Sequence, residues 1–225
     1  MNISILYEDN HLLIVEKPVN MPVQADQSED MDLLTYVKAD IKKRYNKPGN
    51  VYVGLIHRLD RPVGGAIIFA KTSKAASRMA NLLRKQEITR TYLAVVRGKV
   101  MQNQGRLIDY VWKDRQKNEV YVVNENKTGA KKAVLDYTLL QTQQDLSLIK
   151  VQLQTGRSHQ IRVQMKALGH PLYGDQKYGE QVNKRGQQIA LWAHTLSFIH
   201  PVRGEEIQVI CPPPEVVPWN IWEKS

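Results

Sequence analysis

An α+β fold, with a large, mainly antiparallel mixed β-sheet flanked by helices and loops, is predicted by three observations. From residue 106 to 155 short apolar runs alternate with polar turns, the rhythm of an antiparallel sheet. Only three segments carry apolar residues at helical spacing. The 225 residues, 42% of them hydrophobic, contain no linker, repeat or low-complexity segment, so one core and a single domain over residues 1–225 are expected.

In chain order, "ISILY" (3–7) and "HLLIV" (11–15) read as buried strands joined at Glu8-Asp9-Asn10, the second ending at Lys17-Pro18. "DLLTYVKADIKKRY" sets Leu33, Leu34, Val37 and Ile41 on one helical face, and Pro48-Gly49 closes that region. "VYVGLIHRL" and "GAIIFAK" are expected strands. The apolar runs 54–56 and 66–69 within them are split by His57 to Val63, which carry two arginines and one aspartate, and by a Gly64-Gly65 pair. A helix over "TSKAASRMANLLRKQEI" is capped by Thr72 or Ser73, with Ala76, Met79, Ala80 and Leu83 inward. "TRTYLAVVRGKV" is apolar on both faces, which suits a central strand. Strands follow in "RLIDYVW", "NEVYVVN", "AVLDYTLLQ" and "LSLIKVQLQ". "SHQIRVQMKAL" is a helix with Ser158 as N-cap and Gly169 just past its end. "IALWAHTLSFI" and "EIQVIC" complete the sheet around the turn Pro201-Val202-Arg203-Gly204.

The charge is biased: 32 Lys+Arg against 22 Asp+Glu give +10. The bias is concentrated, with 14 basic and 6 acidic residues between 51 and 125, against 6 and 8 before them. Such a balance points to a polyanionic partner. The basic residues Lys74, Arg78, Arg84 and Lys85 lie off the apolar stripe of their helix, where they are either solvated or in contact with RNA.

Several chemistries are excluded. The chain has no G-x-x-x-x-G-K-[ST], G-x-G-x-x-G, H-E-x-x-H or G-x-S-x-G motif. The six histidines never fall at a metal-ligand spacing, so no metal is expected. Cys211 is the only cysteine, so an intrachain disulfide is impossible and a reducing, cytoplasmic setting is expected. No signal peptide and no apolar run of about 20 residues is present, so no membrane association is expected. What remains is cofactor-free chemistry by a carboxylate. Asp60 is the candidate, set between Arg58 and Arg61, whose charges favour its ionised form. A second polar cluster, "TGRSHQIR" (155–162), sits at a strand-to-helix junction suited to phosphates. A nuclease or glycosidase would need a second acid, for which Glu87, Asp109 and Asp175 are the options by position. Asp175 reads as a turn residue.

These motifs carry a resemblance. "HRLDRPVGG" resembles the H-R-L-D-x-x-[TS]-x-G signature of the RluA family of RNA pseudouridine synthases. "RTYLAVVRG", "GRSHQIRVQMKALGHPLYGDQKYG" and "LWAHTLSFIHP" are similar to that family's later motifs, in the same order. The resemblance runs from about residue 5 to about residue 210. It covers the catalytic domain, and no S4-type RNA-binding domain is expected. It implies an isomerase that converts uridine in rRNA or tRNA to pseudouridine without a cofactor, and a monomer is expected. By resemblance Asp60 is the catalytic aspartate, Tyr92 stacks on the uracil and serves in proton transfer, and Arg162 pairs with the aspartate. Arg58 displaces the target base. Leu196 packs beneath that base or belongs to the core. Arg61, Arg157, His159 and Gln160 are further candidates for RNA contact or base flipping. Two departures stand out: Pro62-Val63-Gly64 replaces an acidic-Thr-Ser run, and Gln164 stands where the family often has His. An RNA-binding protein that kept the fold without the chemistry is the alternative, against which stand the intact Asp60, Tyr92 and Arg162.

Overall fold

The computed structural model describes residues 3–222. Among them the chain forms three helices and eleven strands, divided between two compact units. One unit runs up to Arg90 and includes Ala193–Pro212; the other comprises Thr91–Trp192 and the chain from Pro213.

In the first unit, β1 (Ile5–Glu8) turns into β2 (Leu12–Lys17) because the Asp9 carboxylate accepts the backbone N–H groups of His11 and Leu12, at 2.7 and 2.6 Å. An aspartate that satisfies the next backbone donors is a local turn signal. β2 pairs antiparallel with β4 (Gly64–Ala70), Leu12 opposite Ala70 and Lys17 opposite Gly65. All seven residues of β4 are buried, which explains its continuous apolar run. The order in this unit is β1-β2-β4-β10, where β10 is Leu191–Ile199 and belongs to this unit from Ala193 on, and β11 (Glu206–Ile210) pairs with β10. Helix α1 (Leu33–Arg44) buries Leu33, Val37 and Ile41 and is capped by Asp32, which accepts from Thr35 N. Its last turn holds Lys42, Lys43 and Arg44, cations that suit the negative end of the helix dipole. Helix α2 (Ser73–Arg84) is capped by Thr72, whose Oγ1 accepts from Ala75 N at 3.1 Å.

The second unit is an antiparallel series, β5-β9-β8-β6-β7. Its strands are β5 (Ile88–Arg97), which begins in the first unit, β6 (Gln104–Asp114), β7 (Glu119–Val123), β8 (Lys131–Gln143) and β9 (Leu146–Leu153). Helix α3 (Gln160–Ala167) lays Val163 into a buried cluster with Val111 of β6, Val120 of β7, Ala133 of β8 and Tyr178. Gly169, at φ 91°, ends the helix as expected, and His170 N donates to Met165 O at 2.9 Å.

Three sequence expectations are corrected. The strand expected over 51–59 is reduced to β3, Gly54–Leu55, paired with Ala70 and Phe69 of β4. Two residues further on, the His57 imidazole takes over: Ile68 N donates to His57 Nε2 at 3.2 Å, so a side chain replaces the ladder carbonyl. Helix α3 is not capped by Ser158. The residue before it, His159, is left-handed at φ 51°, and the Gln160 amide holds the turn instead, Oε1 accepting from Arg157 N at 2.9 Å. The inward face of α2 is Ala75 and Met79, whereas Ala80 is exposed.

Candidate catalytic residues

Asp60 lies on the turn between β3 and β4, closed by Val63 N donating to Asp60 O at 2.9 Å. The turn is anchored from β2. The side chain of Lys17 is wholly buried, and its Nζ donates to Pro18 O (2.8 Å), Met21 O (2.6 Å) and Arg61 O (2.9 Å). One ammonium thus ties the 18–21 loop to the residue after Asp60. Burial pushes the Lys17 amine down to about 7; the Asp60 charge opposes that fall and the Arg61 charge adds to it. Val63, one of the departures from the motif, is buried.

Arg58 is exposed. The Arg61 guanidinium turns to the 20–30 segment, where it binds Asn20 O at 3.2 Å, Ser28 Oγ at 2.8 Å and the carboxylates of Asp26 and Asp30. Leu196 is buried on β10, opposite Val209 of β11. At Gly65 (φ 111°) the backbone comes close to its own sheet: a Cβ there would stand 2.3 Å from Ala193 O.

In the second unit Tyr92 is buried on β5, opposite Val151 of β9. The start of α3 gathers four of the expected residues. Gln160 is buried; besides Arg157 N, its Oε1 accepts from Thr155 Oγ1 at 2.8 Å, and its Nε2 donates to Val134 O at 3.1 Å. Arg157 Nε donates to Lys132 O at 2.9 Å. Tyr178 Oη accepts from Val120 N at 2.8 Å and shares a hydrogen bond with His159 Nδ1 at 2.7 Å.

Arg162 is buried and forms a two-pronged ion pair with Asp175, Nε to Oδ2 at 2.8 Å and Nη2 to Oδ1 at 2.9 Å. Its guanidinium also lies 5.1 Å from the centre of the Tyr178 ring. Asp175 Oδ1 accepts from Lys177 N and Tyr178 N, at 3.0 and 3.1 Å, which makes it the turn residue that its motif suggests. Burial raises the Asp175 carboxyl, but the hydrogen bonds and charge of Arg162 outweigh it and hold the group below the usual carboxylate range. Gln164 is buried too, and its Nε2 donates to Asp109 Oδ2 at 2.7 Å. Both alternative acids of this unit are therefore held by internal partners.

Sequence reasoning missed Lys17 and the roles of Asp175 and Tyr178 as partners. Lys17 had a signal: a lysine in strand alternation with apolar Leu13 and Val15 must either leave the core or find acceptors within it. Asp175 and Tyr178 had the three-residue spacing of a side-chain-capped turn.

The match with known proteins places this geometry in a class. Residues 11–167 match the family described as RNA pseudouridylate synthase, so the class is an RNA-modifying isomerase. The uncharacterized RNA pseudouridine synthase YlyB of Bacillus subtilis is 35% identical over 218 residues, covering 96% of this chain and 70% of the relative. The ribosomal large subunit pseudouridine synthase D of Xanthomonas campestris is 32% identical over 228 residues, covering 95% and 66%. The chain spans about two thirds of the length of such relatives. Human RNA pseudouridylate synthase domain containing 4 superposes with a TM-score of 0.80, covering 94% of this chain and 88% of that one. At 22% identity that likeness speaks to the fold. The chain belongs to the RNA pseudouridine synthase family.

Proposed function

We propose that this chain, as one catalytic domain, converts uridine to pseudouridine in structured ribosomal RNA, with Asp60, Tyr92 and Arg162 as its catalytic residues and no cofactor. The observation that carries the reading is the family match across residues 11–167, a span that includes all three. Relatives named as ribosomal large subunit synthases favour ribosomal over transfer RNA. The N1–C1′ bond of the uridine breaks, the uracil turns, and a C5–C1′ bond forms. The proton lost from C5 is balanced by one gained at N1, so no oxidant or energy source is needed. Asp60 attacks the ribose or the base, or removes a ribose proton; each role needs its ionised form. Tyr92 stacks on the uracil and serves the C5 proton transfer. Arg162 supports the charge on Asp60. Exposed Arg58 displaces the base from its stack. Leu196 packs beneath the base or belongs to the core, and Arg157 and His159 contact RNA at the start of α3.

The test is tritium release from C5-tritiated uridine in ribosomal and transfer RNA transcripts. The wild-type chain should release label from the ribosomal transcript. Asp60→Asn should retain less than about one per cent of that rate, a barrier increase above ~2.7 kcal/mol, while its RNA affinity stays within a few fold. Release from transfer RNA alone would overturn the substrate assignment. A turning-over Asn variant would overturn the role of Asp60.

A further inference from the structure

Arg90 stands apart from the other buried or half-buried cations of the molecule. The burial of β5 alternates at its start, with Ile88 and Arg90 buried and Thr89 exposed, so the arginine points inward at 9% exposure. Its Nε is buried and makes no hydrogen bond, and among the described residues no carboxylate pairs with it. Elsewhere the protein answers such charges. Arg162, equally buried, is held by both oxygens of Asp175, and half-buried Lys71 is paired with Glu8 at 2.7 Å.

The neighbouring group has the same deficit. His57 is buried, its Nε2 accepts from Ile68 N, and its Nδ1, which therefore bears the proton, has no acceptor. Burial holds the ring neutral, down to about 3, and the nearby Arg90 charge adds to the effect. Two buried donors thus lie in the same surroundings without acceptors, one of them on a permanent cation. An unanswered buried donor is costly and an unpaired buried charge more so. A site that tolerates both is organised for an acceptor that arrives from outside.

We propose that Arg90 is a phosphate-binding residue, a guanidinium left without an internal counter-charge so that it can receive a backbone phosphate of the RNA substrate. A phosphate carries the missing negative charge, and its oxygens match the planar fork of the guanidinium. A uracil carbonyl could also accept a hydrogen bond, but it is neutral and leaves the charge unpaired. The segment fits the role. His57 lies three residues before Asp60, and β5 continues from Arg90 to Tyr92. The inference rests on the proposed RNA-modifying function and adds a specific contact to it.

Arg90→Met in the full chain tests the idea, because methionine keeps much of the volume and removes the charge. If the charge is unpaired in the free protein, the variant should melt at or above the wild-type temperature. Its affinity for a single-stranded oligouridylate should fall about tenfold, and the log–log salt dependence should flatten by about 0.7, one phosphate contact on a single strand. Arg90→Lys should keep the salt slope and lose part of the affinity. A lower melting temperature with unchanged affinity and slope would make Arg90 a structural residue and overturn the proposal. So would slower turnover at saturating RNA with an unchanged slope, which would move the contact to the uracil. Wild-type tritium release keeps the two readings separate. Release by the wild type with an unaltered slope in Arg90→Met sinks only the phosphate contact. A flattened slope without any release by the wild type sinks the catalytic reading and leaves the contact standing.

Discussion

The turn that carries Asp60 and the helix start that carries Arg162 are fixed by different means. Around Asp60 the anchor acts on the main chain: Lys17 Nζ takes three backbone carbonyls, one of them that of Arg61. Around Arg162 the anchor acts on the side chain, whose fork is held by Asp175 while Tyr178 lies against it. Pinning a backbone fixes where a carboxylate starts from; clasping a guanidinium fixes where it points. The first arrangement should respond to changes in donor number, the second to loss of a single charge.

The largest effect should come from Asp175→Asn. Removing one partner of a buried ion pair leaves the other uncompensated, typically at a cost of about 3–5 kcal/mol, so thermal melting should show a large loss. The pH dependence has a definite sign. Because the Asp175 carboxyl is lowered in the folded state, its contribution is present above the ordinary carboxylate value. It is lost as the pH falls from there through the folded value. Wild type and the Asn variant should therefore converge in stability in acid. Equal melting at neutral pH would show that the clasp contributes nothing.

Lys17→Met should have an intermediate effect. Three carbonyls lose their shared donor, partly offset by the removal of a buried amine, so a loss of about 1–3 kcal/mol is expected. Turnover should fall further than RNA affinity, since the turn bearing Asp60 would lose its anchor. A kcat equal to that of wild type in the folded variant would separate Lys17 from the placement of Asp60. The smallest effect belongs to Thr72→Ala at the start of α2. About 1 kcal/mol should be lost with the cap and kcat should not change. A change in kcat there would mean that the scaffold is more tightly coupled to catalysis than this comparison implies.

Much of this was legible in the sequence, and the exceptions share a cause. The sheet rhythm of 106–155, the cap at Thr72 and the end of α3 at Gly169 follow from local patterns, and the structure has them. The expected strand at 51–59 failed because its continuation is replaced by a side chain from the same segment, which no periodicity reveals. The Ser158 cap failed because the residue before the helix is His159 in the left-handed region, and the Gln160 side chain reaches back to the Arg157 N–H instead. Asp60, Tyr92 and Arg162 could be named from motifs, but Asp175 as the partner of Arg162 required knowing that a turn thirteen residues further along folds back onto the helix.

Gly65 carries a lesson about drift. Where its backbone meets that of Ala193, even a methyl group would collide with main-chain atoms, which cannot rotate aside as a side chain can. The φ of 111° closes the remaining route, since L-residues rarely adopt it. A lineage that changed its RNA target, or lost the reaction altogether, would still be held to glycine here for as long as it kept this pair of strands. Persistence of this residue therefore testifies to ancestry of the architecture and is silent on the chemistry beside it.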